Sequence, residues 1–168
     1  MPLVSCQNHH PRVHETAFVA EGAYVVGNVA LGRDVSVWFN AVLRADINGI
    51  IVGDRTNIQD GCVLHVTNQC EVRIGSEVTI GHRAIIHGCT IGDASLIGMG
   101  AIVLDHARVE PNALVAAGAV VLEGMVVPEG SLVAGVPARV IRKLSEEEKA
   151  GIRRSAANYV VYAKSLAR

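Results

Sequence analysis

The chain has 168 residues and a formal net charge of −1; half of its residues are apolar, 4% are aromatic and 17 are glycine. That length suits one domain, 1–168, able to bury about two-thirds of its unfolded surface, and the charge balance excludes the basic face that nucleic acid requires. The longest apolar run, Ala113 to Leu122, falls far short of the ~20 residues of a membrane helix, so no membrane partner is expected either.

The first residues, MPLVSCQNHHPR, contain no apolar core of an export signal. Cys6, Cys62, Cys70 and Cys89 form no CxxC pair, and thiols without an export signal are expected reduced, in a cytoplasmic protein. With 26 valines and 13 isoleucines, the chain favours pleated, half-buried strands.

From Val13 an aliphatic residue recurs every sixth position: Val19, Val25, Leu31, Val37, Leu43. A small or β-branched residue follows four positions later at Ala17, Ala23, Val29, Val35, Ala41 and Ile47. The phase slips by three around Asn48–Ile51, resumes at Val52, Ile58 and Leu64, and slips again through Thr67–Arg73. It returns at Ile74, Ile80 and Ile86, loses one residue, and then runs unbroken from Ile91 to Val133. A period of six is a multiple of two and not of 3.6, so the units are strands and turns whose positions i and i+4 both face inward. Glycines after the aliphatic (Gly32, Gly75, Gly81, Gly92, Gly98) are expected at tight corners. The pattern resembles the hexapeptide repeat of left-handed parallel β-helices. That resemblance implies an all-β solenoid over 12–142, six to seven triangular coils stacked about 4.8 Å apart. Ser145-Glu-Glu-Glu148 reads as a capping box, followed at helical spacing by Ile152, Ala156, Tyr159, Val160 and Ala163. A C-terminal α-helix over 145–166, packed along the coils as their cap, is the expectation.

Of seven histidines, His9, His10, His14 and His106 have no partner constellation in the sequence and are expected exposed. His65 and His87 are each the second residue of their unit, and those units are one coil apart. Both rings therefore stack on one face, close enough for two imidazoles to reach one cation at 2.0–2.1 Å. His82 falls on a different face and joins them only from a neighbouring chain, as in a closed threefold ring. Three histidines leave a fourth tetrahedral position for water, the catalytic pattern of zinc. The bland alternative is that stacked histidines decorate a strand.

Around them stand Arg44-Ala-Asp46, Asn57-Ile-Gln59-Asp60, Cys62-Val-Leu-His65 and Gly81-His82-Arg-Ala-Ile-Ile-His87-Gly-Cys89. This composite resembles the gamma-class carbonic anhydrase family, across the repeat and into the C-terminal helix. The resemblance implies a homotrimer in which His65 and His87 of one subunit and His82 of the next bind zinc, with iron or cobalt able to use the same ligands. It implies reversible hydration of CO2 to bicarbonate by a metal-bound hydroxide at the trimer interfaces. By the same match Gln59 hydrogen-bonds the metal-bound water, Asn57 orients the pocket, and Arg44 lies near the bicarbonate site, where a guanidinium suits a planar anion. Asp46 and Asp60 match acidic residues that pair with such arginines, with structural salt bridges across the interface as the competing role. Tyr159 resembles a tyrosine that overhangs the site, or it simply packs.

Longer members carry proton-exporting glutamates, one after the aspartate of the RxD motif and one in an acidic loop. Here Ile47 follows Asp46, and the short stretch Val66–Val72 has Glu71 as its only carboxylate. The resemblance is therefore to the short, loop-less branch, for which weak or absent hydration is expected. Two other classes stay open. One is an acyltransferase or thioesterase acting on coenzyme A esters, which shares the repeat and the Ala134-Gly-Val-Pro137-Ala-Arg139 ending and would need a histidine as general base. The other is a non-catalytic, metal-binding trimeric scaffold.

Overall fold

A computed structural model describes residues 3–166; residues 1, 2, 167 and 168 of the expected domain lie outside the described residues. Short parallel strands wind into a left-handed β-solenoid of about seven turns, followed by one helix. The turns stack in strict register on three faces. One face is the ladder Tyr24, Val42, Val63, Ile85, Ile102, Val120. The second carries Arg12, Ala30, Ile51, Arg73, Thr90, Arg108 and Val126. The third carries Phe18, Ser36, Asn57, Thr79, Leu96, Leu114 and Leu132.

The next residue of each strand points inward, and these aliphatics, with the small residues four positions on, form one continuous core. Two details differ from the sequence expectation. Ile47, counted among inward positions, is 45% exposed. The three extra residues enter earlier than the count suggests: Gly27 pairs with Ala45 and Val29 with Ile50, so Asp46–Gly49 stand opposite Asn28 alone. Ile47 rides on that bulge, and Ile50, fully buried, takes the inward place.

The corner glycines also have a different reason. Gly32, Gly75, Gly81, Gly92 and Gly98 do not have positive φ; the left-handed residues lie further along each corner, at positions such as Asp34, Asn40, Arg83 and His106. Stacking clearance is what demands the glycine. A Cβ on Gly81 would stand 2.8 Å from Ile97 O and Met99 N, backbone atoms of the next coil that cannot step aside.

The parallel coils end at Ser131–Ala134, and Arg139–Lys143 returns antiparallel on that strand instead of continuing the winding. That hairpin covers the open edge of the third face, which would otherwise offer unpaired backbone groups. The helix, which we label α1 (Glu146–Leu166), packs along the third face, against Ser36–Val37, Asn57–Ile58 and Thr79–Ile80. Its capping box is formed reciprocally: Ser145 N–H donates to Glu148 Oε2 at 2.8 Å and Glu148 N–H to Ser145 Oγ at 3.2 Å. Ile152, Ala156 and Ala163 are its buried stripe. No helix among the described residues is long and apolar enough to cross a membrane.

Candidate metal centre

The first face separates two groups of polar side chains, one at each end of its strands. At the far end, Arg44, His65 and His87 occupy one column, in register on three successive coils. His65 Nδ1 and His87 Nε2 lie 3.0 Å apart. The outer nitrogen of each ring meets a carboxylate: His65 Nε2 is 3.1 Å from Asp46 Oδ1, and His87 Nδ1 contacts Asp105 Oδ1. Asp46 also contacts the Arg44 guanidinium. Burial opposes the charge on Asp46, but its own backbone N–H, the His65 ring and Arg44 together hold the carboxyl below its usual range.

Donor bookkeeping makes this pair unusual. A carboxylate only accepts, so the single N–H of each neutral imidazole is committed to its aspartate. In neutral rings the two remaining lone pairs would then meet across 3.0 Å, an arrangement satisfied by a shared proton or by a metal ion between them. Two nitrogens bound tetrahedrally at 2.0–2.1 Å from one ion are about 3.3 Å apart, so both rings reach a common cation with little movement. Imidazoles backed by carboxylates are also the usual surroundings of a bound divalent metal. The donor set fits zinc, and iron or cobalt equally.

The near end of the same face carries the second group. His82 sits at the corner before the strand Ile85–His87, with Nδ1 2.9 Å from Asp60 Oδ2. Its backbone N–H donates to Gln59 Oε1 at 3.2 Å, and Gln59 Nε2 donates to Asn57 Oδ1 at 3.0 Å. Asn57 in turn donates to Thr79 Oγ1 at 2.9 Å. Both amides are buried, and each of their polar atoms has a partner. Beside Gln59 a groove of about 340 Å³ runs between α1 and the third face, lined by Thr79, Gly81, Leu96, Met99, Leu114 and Tyr159. Tyr159 packs edge-on against Trp38 at 5.3 Å between ring centroids. Burial, with the negative charge of Asp60 nearby and Tyr162 alongside, pushes its hydroxyl above the ordinary tyrosine value.

One chain thus brings together Arg44, Asp46, His65 and His87, and separately Asn57, Gln59, Asp60, His82 and Tyr159. His82 and His87 are five residues apart, so their backbones are separated by no more than about 17 Å. Among the described residues no three His, Cys, Asp or Glu side chains converge on one cation position.

Some participants were not singled out from the sequence. Asp105 lies eighteen residues beyond His87, whereas the coil there is seventeen residues long, with Ile86 opposite Val103, so the carboxylate sits one residue past the histidine column. Thr79 is the register partner of Asn57. The single tryptophan gave no sign of its place under Tyr159, because that contact depends on how α1 docks. His106 is exposed as expected, yet it has a partner: its ring lies 3.1 Å from Cys70 Sγ, brought there by the stacking of two corners. His14 is only half-exposed and meets Thr16 at 3.0 Å. The four cysteines are free thiols.

Comparison with known proteins agrees with the architecture. The repeat family described as bacterial transferase hexapeptide (six repeats) matches residues 88–123. A Methanocaldococcus jannaschii protein named "Probable carbonic anhydrase" is 52% identical over 88% of this chain and 93% of its own length. The Arabidopsis thaliana protein gamma carbonic anhydrase 1, mitochondrial, is 46% identical over 94% of this chain, which spans 59% of that longer protein. A solved hexapeptide transferase family protein from Anaplasma phagocytophilum superposes with a TM-score of 0.94 at 41% identity, covering 98% of this chain and 97% of that one. With the solenoid, the histidine column and 52% identity to a relative covered over 93% of its length, the chain belongs to the gamma-class carbonic anhydrase family, and its role is that of a carbonic-anhydrase-like lyase.

Proposed function

We propose that the protein is a homotrimeric, metal-dependent carbonic anhydrase that interconverts CO2 and bicarbonate at three intersubunit sites. In each, His65 and His87 of one subunit and His82 of the next hold a divalent ion, zinc in the first instance. The observation that carries this reading is the 3.0 Å approach of His65 Nδ1 to His87 Nε2, with an aspartate on the outer nitrogen of each ring.

The trimer is supported by the face between the two polar groups. Its outward column is apolar throughout: Tyr24, Val63 and Ile85 are 49%, 41% and 39% exposed, with half-buried Val42, Ile102 and Val120 between and beyond them. The third face is covered by α1 over the strands Ser36–Val37, Asn57–Ile58 and Thr79–Ile80, and the second carries Arg12, Arg73 and Arg108. A contiguous uncovered apolar stripe marks an association surface. Three copies packed through this face around a threefold axis would bring the far end of each against the near end of its neighbour.

Bound to three imidazoles, a divalent ion lowers the pKa of a water ligand to about 7 and so supplies a nucleophile at neutral pH. The chain's own groups then position the substrate. Gln59 has one N–H committed to Asn57 and a second left to donate to a substrate oxygen. Its carbonyl, held by the His82 backbone, keeps the amide from turning over. Arg44 offers two parallel N–H bonds to bicarbonate, oriented by Asp46. Tyr159 roofs the pocket and keeps water from its apolar side. Proton export is the weak point. Glu71, the one carboxylate in the 66–72 stretch, is bound to Arg73, which fits slow turnover.

A second reading is hydrolysis of an acyl thioester at the same centre. It is favoured by the groove beside Gln59, whose volume is in the range that holds drug-sized ligands and far exceeds what CO2 needs. Stopped-flow CO2 hydration and thioester hydrolysis, assayed side by side on zinc-loaded protein and on His82→Ala, decide between them. Hydration that vanishes in the variant supports the first reading. Thioester turnover without hydration replaces it with the second, and neither activity in a fully metallated trimer refutes both.

A further inference from the structure

Resting on the metal reading above, we infer that Asp105 is a positioning residue for the metal centre, fixing His87 so that Nε2 presents its lone pair toward His65. Three imidazole–carboxylate pairs occur among the described residues, and they are not equivalent. Asp46 is divided between His65 and Arg44. Asp60 pairs with a ring at an open corner, both side chains more than 40% exposed. Asp105 is dedicated: among the described residues its carboxylate forms an ion pair with His87 and with no lysine or arginine.

The backbone around Asp105 is built to aim it. It lies in the corner directly above Gly88, where His106 N–H donates to Gly88 O at 2.9 Å and Gly124 N–H donates to Asp105 O at 2.9 Å. His106 adopts φ 59°, a left-handed conformation that non-glycine residues take at some cost and keep where surroundings enforce it. Gly88 supplies the clearance. A Cβ there would stand 2.7 Å from Asp105 Oδ1 and 3.0 Å from Cys70 Cβ, at a φ of +49°. The glycine after the ligand histidine is the notch through which a carboxylate from the next coil reaches the ring.

The chemical consequence is a choice of nitrogen. A carboxylate at Nδ1 requires the hydrogen there, leaving Nε2 bare at the position 3.0 Å from His65 Nδ1. Without that acceptor the imidazole is free to move its proton to Nε2 or to turn about Cβ–Cγ, and either change withdraws the lone pair from the shared position. Loss of such an orienting partner typically weakens metal binding 10–100-fold.

The test is cobalt(II) affinity of the full-length protein, measured by competition with a chromogenic chelator alongside the cobalt absorption spectrum. Asp105→Ala is expected to weaken binding about 10–100-fold and to alter the spectrum, while the metal-free protein melts as wild type does. Asp105→Asn, whose Oδ1 still accepts from Nδ1–H, is expected to recover most of the affinity. Wild-type affinity in Asp105→Ala overturns the inference while leaving the metal reading intact. Failure of the wild-type protein to bind cobalt overturns both. Should Asp105→Ala not fold, a ¹H–¹⁵N correlation on metal-free wild-type protein reads the His87 tautomer directly: hydrogen on Nδ1 is expected, and hydrogen on Nε2 overturns the inference.

Discussion

Mixing two inactive variants gives the sharpest test of a site shared between subunits. His82→Ala removes a ring whose only side-chain partner among the described residues is Asp60 at 2.9 Å, in a pair whose side chains are 43% and 42% exposed. Pairs this open contribute about 0–1 kcal/mol, so the melting temperature should fall by no more than roughly 2–4 °C. The Gln59 contact survives, since it uses the His82 backbone. His87→Ala removes a proposed ligand from the other end of the face. Each variant alone should assemble as an empty trimer. In the proposed cyclic trimer each site would take His65 and His87 from one subunit and His82 from the next, so any mixed trimer would regain one intact site of three. Random 1:1 mixing leaves about three-quarters of trimers mixed, and metal content should recover to about one quarter of the wild-type value. Metal per subunit, measured by elemental analysis after refolding the two variants together and dialysing, reads this directly. A site confined to one chain predicts no recovery. Zero recovery from well-formed mixed trimers, or full metal occupancy in His82→Ala alone, would refute the reasoning.

Three further outcomes are expected. Ile85→Glu puts a charge on the apolar column where about two-fifths of the isoleucine is exposed; it should give monomers by sedimentation and lose metal, and a metallated trimer would show that this face is not the interface. Burial pushes the Cys62 and Cys89 thiols up to about 12, so at pH 8.5 only about 0.03% of either is thiolate. Iodoacetamide should leave both unmodified in native protein by peptide mapping, and rapid labelling of either would contradict their packing. The Arg142 side chain, followed by the Ser145 backbone, holds the Glu148 carboxyl down at about 2. Its support of α1 is therefore present above the unfolded value near 4.5 and is lost as pH falls through about 2. Glu148→Gln should flatten the acid limb of unfolding followed by circular dichroism between those values.

The solenoid was legible because its cause is local and repeated. An inward aliphatic every sixth residue can be satisfied only by strands and corners that stack, so Val19, Leu43, Ile58, Ile80 and Val115 identify their own core places. Where the repeat breaks, the count loses its reference, and Ile47 was assigned to the wrong side of the sheet. The corner glycines were found for the wrong reason, since clearance from the next coil is a property of stacking and not of one residue's φ. Winding was expected to continue to 142, but the chain turns back after Ala134, a choice made by the exposed edge and not by periodicity.

The amino-acid sequence by itself determined the period, the three faces, the helix and its cap, and the coil-to-coil alignment of His65 with His87, because each follows from spacing along the chain. Only the tertiary structure decided which nitrogen of each ring faces inward, that Asp46 and Asp105 hold the outer ones, and that Gln59 is locked between Asn57 and His82. Those contacts join residues on different coils through bulges and corners of irregular length. Side-chain direction there depends on backbone conformation at a few positions, which no repeat in the sequence encodes.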